Sequence, residues 1–292
     1  MKIVLFGKDG QLGWEFQRTL PVLGEVIALS RNEANVSDLN SVESILGEHK
    51  PDLIVNASAY TEVDKAETDV DLAMTINASA PGVMAEMARK LDSVFMHFST
   101  DYVFDGNSTI PYKEEHQTNP LNVYGQSKLV GEQNIQQAGD AYLIFRTSWV
   151  YSLRGNSFVN KVLSWARKNE ILKIVSDQIS SPTWARTLAE ITSLTIAQNK
   201  ADLFEAIRQR RGVYHLAGSG YTSRYEWAKQ ILANDPNPEE QLTHTLKPGL
   251  TSDFPTPASR PLFSPLDCTL FEKTFGLQMP EWDTMLRLAM TR

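Results

Sequence analysis

"KIVLFGKDGQLGWEFQRTL", residues 2–20, decides the fold. Lys2 to Phe6 is a short apolar run, read as a buried strand. Gly7, Gly10 and Gly13 follow it with the spacing G-x-x-G-x-x-G. Leu12, Phe16 and Leu20 then recur at a helical interval, on one face of a helix starting near Gln11. A glycine-rich turn joining a strand to a helix lets backbone approach a ligand and aims free N–H groups at it.

Working outward, the pattern repeats. "EVIALS" (25–30), "DLIVNAS" (52–58), "SVFMHFST" (93–100) and "AYLIFRTSW" (141–149) read as further strands. Helices are predicted from an Asp38 N-cap to Lys50, over residues 70–90, and after Tyr124. Strand–helix alternation implies parallel strands with crossover helices on both faces. The expectation is an α/β fold: a Rossmann-type doubly wound parallel sheet over residues 1–150. Residues 151–292 are less regular. Helices are predicted at 157–168, 183–198 and 225–233, and strands at "LKIV" (172–175) and "GVYHLA" (212–217), with dense prolines between Pro248 and Pro265. A smaller mixed α/β substrate domain is expected there, with some segments returning to the first domain.

Bulk composition narrows the function classes. The chain has 292 residues, 42% hydrophobic and 22% charged, as in an ordinary globular protein. A net charge of -7 argues against a nucleic-acid or membrane surface. "RQRR" (208–211) reads as a cationic helix end rather than a phosphate patch. Cys268 has no partner for an internal disulfide, and no apolar run reaches the length of a membrane span, so a cytoplasmic setting is expected. The histidines are scattered, with no metal-ligand spacing, and no metal site is assigned.

The glycine loop predicts a dinucleotide. Gly7 permits the tight turn, Gly10 lets the backbone meet a pyrophosphate, and Gly13 lets the helix lie close to the strand. At the end of the second strand, where an acidic residue would bond the ribose of NAD, stand Ser30 and Arg31. A hydroxyl followed by a guanidinium suits a 2′-phosphate, so NADPH is preferred over NADH, which stays open. A solvated surface arginine is the competing reading. Ala57, Ser58 and Ala59 are small, as suits a dinucleotide crossing the strand ends or a close helix contact.

Two Tyr–Lys pairs share one spacing: Tyr124/Lys128 in "NVYGQSK" and Tyr225/Lys229 in "RYEWAK". Position separates them. Tyr124 opens the helix after the fourth strand, whose end supplies Ser99 and Thr100, with Lys128 one turn on. Tyr225 follows Ser223, which with Glu226 makes a capping box, so it reads as a structural residue of a helix start.

These features resemble the extended short-chain dehydrogenase/reductase superfamily. "AYTEVDKAE" (59–67), "STDYVFDG" (99–106), "PLNVYGQSK" (120–128), "RTSWVY" (146–151), "YHLAGSG" (214–220) and "PTPASRPLFSPLD" (255–267) are similar to its dTDP-4-dehydrorhamnose reductase family, along the chain to about Arg292. The resemblance implies hydride transfer from NAD(P)H to C4 of dTDP-4-dehydro-L-rhamnose. Tyr124, Lys128 and Thr100 would be catalytic: proton donor, its partner that also binds ribose, and a hydroxyl at the same oxygen. The cofactor set would be Gly7, Gly10, Gln11, Leu12, Gly13, Ser30, Arg31, Asn35, Val36, Ala57, Ser58, Ala59, Tyr60, Ser99, Tyr124 and Lys128. Thr100, Asp101, Trp149, Asn156, Phe158, Gln178 and Arg260 would hold the sugar nucleotide.

Three departures bear on details. Related dehydratases place a glutamate after Thr-Asp as elimination base, where this chain has Tyr102, which favours ketone reduction. Asn35-Val36 replaces the usual Asp-Phe or Asp-Leu at the adenine. Ser180 replaces a glycine of the substrate loop, where a turn of positive φ is at stake. Some family members carry Mg²⁺ at a dimer interface, which leaves Mg²⁺ and a homodimer open. The rival functions are another sugar-nucleotide reductase, epimerase or dehydratase, and a non-enzymatic regulatory subunit like that of methionine adenosyltransferase.

Overall fold

The protein is described by a computed structural model covering residues 1–291; Arg292 lies outside the described residues. In chain order the first part runs β1 (Lys2–Phe6), α1 (Gln11–Thr19), β2 (Glu25–Leu29), α2 (Leu39–His49), β3 (Leu53–Asn56), α3 (Val63–Ala66), α4 (Val70–Met74), α5 (Ala80–Lys90), β4 (Val94–Thr100), α6 (Val123–Ala138) and β5 (Tyr142–Thr147). A six-stranded sheet has the order β2, β1, β3, β4, β5 and then strand Gly212–His215. Every pairing in it is parallel.

Apart from the edge strand β2, the sheet is largely buried on both faces, which is why its strands read as continuous apolar runs. Alternate side chains serve opposite faces. Ile3 and Leu5 join Phe16 of α1, Leu20 just after it, and Leu188 and Ile196 of helix Ala185–Gln198. Val4 and Phe6 join Val42 and Leu46 of α2, Met84 of α5 and Ile135 of α6. The chain moves from β1 to β2 and then crosses back to β3, so strand order reverses between β1 and β3. That reversal opens a crevice beyond the carboxyl ends of the strands.

The later segments divide between two places. Strand Gly212–His215 extends the sheet beside β5, and Phe271 and Phe275 of helix Thr269–Phe275 join its first core. Tyr151, Val159, Trp227, Ile231 and Leu286 form a separate core beyond the strand ends. Helices Thr269–Phe275 and Trp282–Met290 are present where the sequence reading has none, and helix Leu203–Gln209 ends in the cationic run expected of a helix end. The "RQRR" run closes the helix Leu203–Gln209, and Arg208 pairs with Glu205 within it.

Two predicted elements differ in form. The helix over 70–90 is broken by a π turn at Thr75–Ser79 just before Pro81. This turn sets Asn77 between the Tyr60 backbone and Ser127 of α6. Such one-turn bulges carry no hydrophobic-period signal, because they shift phase only locally. The strand over 141–149 stops at Thr147, since Trp149 lies at φ 40, outside the extended region.

Candidate active site

The crevice is lined by the glycine loop and the end of β3. Gly7 has φ 84, and a Cβ there would lie 2.8 Å from the Ser58 nitrogen. A Cβ on Gly13 would lie 2.0 Å from the Gly7 oxygen, so α1 can sit this close to β1 only as glycine. Gly10 is the N-cap of α1, in extended conformation, and Gln11 and Leu12 open the helix. The Gln11 side-chain oxygen is buried with no hydrogen-bond partner among the described residues. A cradle that admits no Cβ at Gly7 or Gly13, at a helix N-terminus, fits a dinucleotide pyrophosphate.

At the end of β2, Arg31 is exposed and Ser30 half-buried. Glu33 folds back here: its carboxylate accepts from the Ser30 N–H (2.8 Å) and hydroxyl (2.6 Å) and pairs with Lys8 at 2.5 Å. These bonds hold the Glu33 carboxyl down at about 2. Asn35 is exposed and Val36 buried on the same rim. Ala57 and Ser58 are half-buried and Ala59 exposed, while the Tyr60 backbone is fixed by Asn77.

Tyr124 enters from α6, whose N-cap Asn122 accepts from the Gly125 N–H at 2.8 Å. A Cβ on Gly125 would meet the Tyr102 oxygen at 2.2 Å, so this turn is pressed against the end of β4. The phenol lies beside the Thr100 hydroxyl, and its ring meets Tyr102 edge-on at 5.7 Å. Burial foremost, then the charge of Asp101, pushes the phenol above its usual range, so Tyr124 carries its proton.

Lys128 departs from the expected arrangement. Its ammonium was expected against the Tyr124 phenol; instead Nζ turns inward to the Phe98 carbonyl (2.5 Å) and His97 Nε2 (3.0 Å). It is fully buried, and burial without a directly bonded carboxylate lowers it from 10.5 to about 7. Glu132, one turn further on, is held by Arg146 (2.7 Å) and by the Ser99 hydroxyl at 2.5 Å.

On the substrate side, Asp101 is buried. Its carboxylate accepts from Ser264 (2.6 Å) and Ser180 (3.1 Å), and burial raises it. Where the family's substrate loop has a glycine, Ser180 lies in strand Ile179–Ser180, outside the positive-φ residues, and its hydroxyl serves Asp101. Gln178 is buried and donates to the Thr251 hydroxyl at 3.2 Å. Arg260 holds Asp64 through two bonds (3.0 and 2.7 Å), so its fork is engaged within the protein. Trp149 stacks on Trp227 at 5.5 Å, with Phe158 on the same ring at 4.8 Å. Asn156 is exposed in the loop before Phe158, apart from this cluster.

Sequence reading passes over several residues. Arg224 lies over Trp149 at 3.9 Å and Phe158 at 4.8 Å, a cation on an aromatic tray. It immediately precedes Tyr225, in a stretch read only for its Tyr–Lys spacing. Asn56 and His97 sit under Lys128; neither has a motif, because their relation exists only across neighbouring strands. Tyr225 reaches the Leu246 carbonyl only at 3.4 Å, and exposed Lys229 pairs with Glu226 at 3.5 Å. Among the described residues no group of three or more His, Cys, Asp or Glu could hold a metal ion, and no helix is long and apolar enough to cross a membrane.

Comparisons with known proteins place this geometry in context. The family model described as RmlD substrate binding domain matches residues 1–292. The dTDP-4-dehydrorhamnose reductase of Burkholderia thailandensis is 40% identical, over 97% of this chain and 95% of its own. That of Escherichia coli is also 40% identical, over 97% and 94%. Among solved structures, a dTDP-4-dehydrorhamnose reductase from Clostridium acetobutylicum superposes with a TM-score of 0.90 at 33% identity, covering 99% of this chain and 98% of that one. One from Bacillus anthracis in complex with NADP gives 0.87 at 31%, covering 98% and 97%.

Proposed function

The chain belongs to the RmlD substrate binding domain family, and from that premise we propose that it reduces the C4 ketone of dTDP-4-dehydro-L-rhamnose to dTDP-L-rhamnose. A bound nicotinamide cofactor supplies the hydride. The glycine loop and the α1 N-terminus hold its pyrophosphate, with Gly7, Gly10, Gln11, Leu12 and Gly13 as the cradle. Ala57, Ser58, Ala59 and Tyr60 line the crevice with Ser99 at its inner end, and Asn35 and Val36 would flank the adenine. Ser30, Arg31 and Lys8 form the pole for a 2′-phosphate, which supports NADPH as the preferred form. An arriving phosphate must displace Glu33 from Ser30.

The observation that carries the reaction type is the Tyr124 phenol. Burial keeps its proton on, and it stands beside Thr100 at the end of β4. Tyr124 gives its proton to the oxygen that gains negative charge as C4 is reduced, and Thr100 holds that oxygen in line. Elimination chemistry would need a free base nearby. Tyr102 is held protonated by burial, and the Asp101 carboxylate is occupied by Ser180 and Ser264. Asp101 thus positions the substrate loop against β4. Trp149, Phe158 and Arg224 provide a flat cationic tray for the nucleotide, and Arg260 is the diphosphate donor once it exchanges Asp64 for phosphate.

The test is to supply dTDP-4-dehydro-L-rhamnose with NADPH or NADH and follow cofactor oxidation and product. Formation of dTDP-L-rhamnose with higher kcat/KM for NADPH is expected. No oxidation with this sugar nucleotide would overturn the substrate assignment, and equal or better use of NADH would overturn the cofactor preference.

A further inference from the structure

Beneath the crevice runs a buried chain of polar contacts, Ser58 to Asn56 to His97 to Lys128, whose hydrogens can be placed by elimination. Asn56 Oδ1 accepts from the Ser58 N–H at 3.0 Å and from the Ser58 hydroxyl at 2.5 Å. A backbone N–H can only donate, so the Asn56 amide cannot be turned round. Its Nδ2 therefore donates to His97 Nδ1, at 3.1 Å, which must present a lone pair. A neutral His97 ring then carries its proton on Nε2. That N–H faces Lys128 Nζ at 3.0 Å and needs a lone pair there. An ammonium has none; a neutral amine has one, and can still donate to the Phe98 carbonyl at 2.5 Å.

The network therefore fits Lys128 in its neutral form. A charged Lys128 must leave His97 or force the other tautomer, which sets two N–H groups against each other at Asn56. We propose that His97 is a positioning residue that holds Lys128 neutral and turned inward, so that dinucleotide binding draws one proton from solvent onto Lys128. The ammonium so formed leaves His97 and faces the crevice. Ser58 couples the two ends, because its backbone packs against Gly7 of the pyrophosphate loop. This inference rests on the nicotinamide reading above for its trigger, but not for the cofactor-free state.

The groups facing Lys128 agree. From β4 the titratable neighbour is His97, which burial and the lysine hold well below its ordinary value. On α6 the charged neighbour is Glu132, whose carboxylate is already shared by Arg146 of β5 and Ser99 of β4. Burial accordingly brings the Lys128 amine to about 7.

Nitrogen NMR of the His97 ring in the cofactor-free protein reads the tautomer directly. Protonation on Nε2 alone is expected; protonation on Nδ1, or on both nitrogens, overturns the proposal. Calorimetry of NADPH binding in buffers of different ionisation enthalpy reads the proton. At about pH 8, uptake of about one proton per NADPH is expected, with Kd rising about tenfold per pH unit above that point. Asn56→Asp replaces the donor with an acceptor, reverses the tautomer and seats an ammonium on His97, so uptake falls towards zero and Kd becomes flat with pH. His97→Gln, whose amide oxygen can accept from the ammonium, is the second variant and also loses uptake. Wild-type uptake in both variants overturns the proposal. Failure of NADPH to bind at all would refute the cofactor reading, and the tautomer measurement would still decide the relay.

Discussion

Tyr124/Lys128 and Tyr225/Lys229 have the same spacing on two helices, each opened by a polar N-cap. Around Tyr124 the backbone of α6 is pressed onto the end of β4, Thr100 lies beside the phenol, and Lys128 is shut off from water. Around Tyr225 there is one long contact to a carbonyl and a solvated lysine paired with Glu226. Burial converts one pair into groups whose protons respond to a bound ligand; the other pair is a tyrosine packed at the edge of the second core and a solvated lysine.

The comparison breaks most visibly at the tyrosines. Tyr124→Phe is expected to lower kcat by roughly 10²–10⁴-fold, the usual worth of a positioned general acid, with NADPH Kd nearly unchanged. Tyr225→Phe should leave kcat within about twofold, because it loses only a contact at the edge of hydrogen-bond range. Steady-state kinetics with fluorescence binding of NADPH checks both; matching losses would erase the distinction.

The lysines sharpen it through pH. The buried Lys128 amine falls from 10.5 in the ordinary case to about 7. Between those values the unfolded chain binds the extra proton, so this group makes stability rise with pH across that window and is most costly below it. Lys128→Met should therefore stabilise the cofactor-free protein below about pH 7 and flatten that rise, while turnover is lost. Lys229→Met should change stability by less than about 0.5 kcal/mol at any pH. Denaturant titrations across pH distinguish the two; a Lys128→Met protein less stable than the parent in acid would contradict the buried-amine assignment.

The smallest effect concerns the rim of the crevice. Glu33→Gln weakens the charged contact to Lys8 and frees the end of β2 for a 2′-phosphate, so kcat/KM with NADPH should rise a few-fold against NADH. A shift towards NADH would remove Ser30 and Arg31 from the cofactor assignment.

The strands of the sheet were legible because burial on both faces favours apolar residues along most of their length. The glycine loop was legible because backbone contact admits no Cβ at Gly7 or Gly13. What stayed hidden arises between segments distant in the chain. Ser180 and Ser264 meet on Asp101 from separate loops, and His97 meets Asn56 and Lys128 across a sheet and a helix. The π turn at Thr75–Ser79 was equally unreadable, since its purpose is a contact of Asn77 with Ser127.

The most direct test of the account is isotope transfer from NADPH carrying deuterium at the reactive nicotinamide carbon. The wild-type protein should place that deuterium on C4 of dTDP-L-rhamnose, and Tyr124→Phe, with the same cofactor bound, should place almost none in the same time. Equal labelling by the two proteins, or no label at C4 from the wild type, would contradict ketone reduction with Tyr124 as the proton donor.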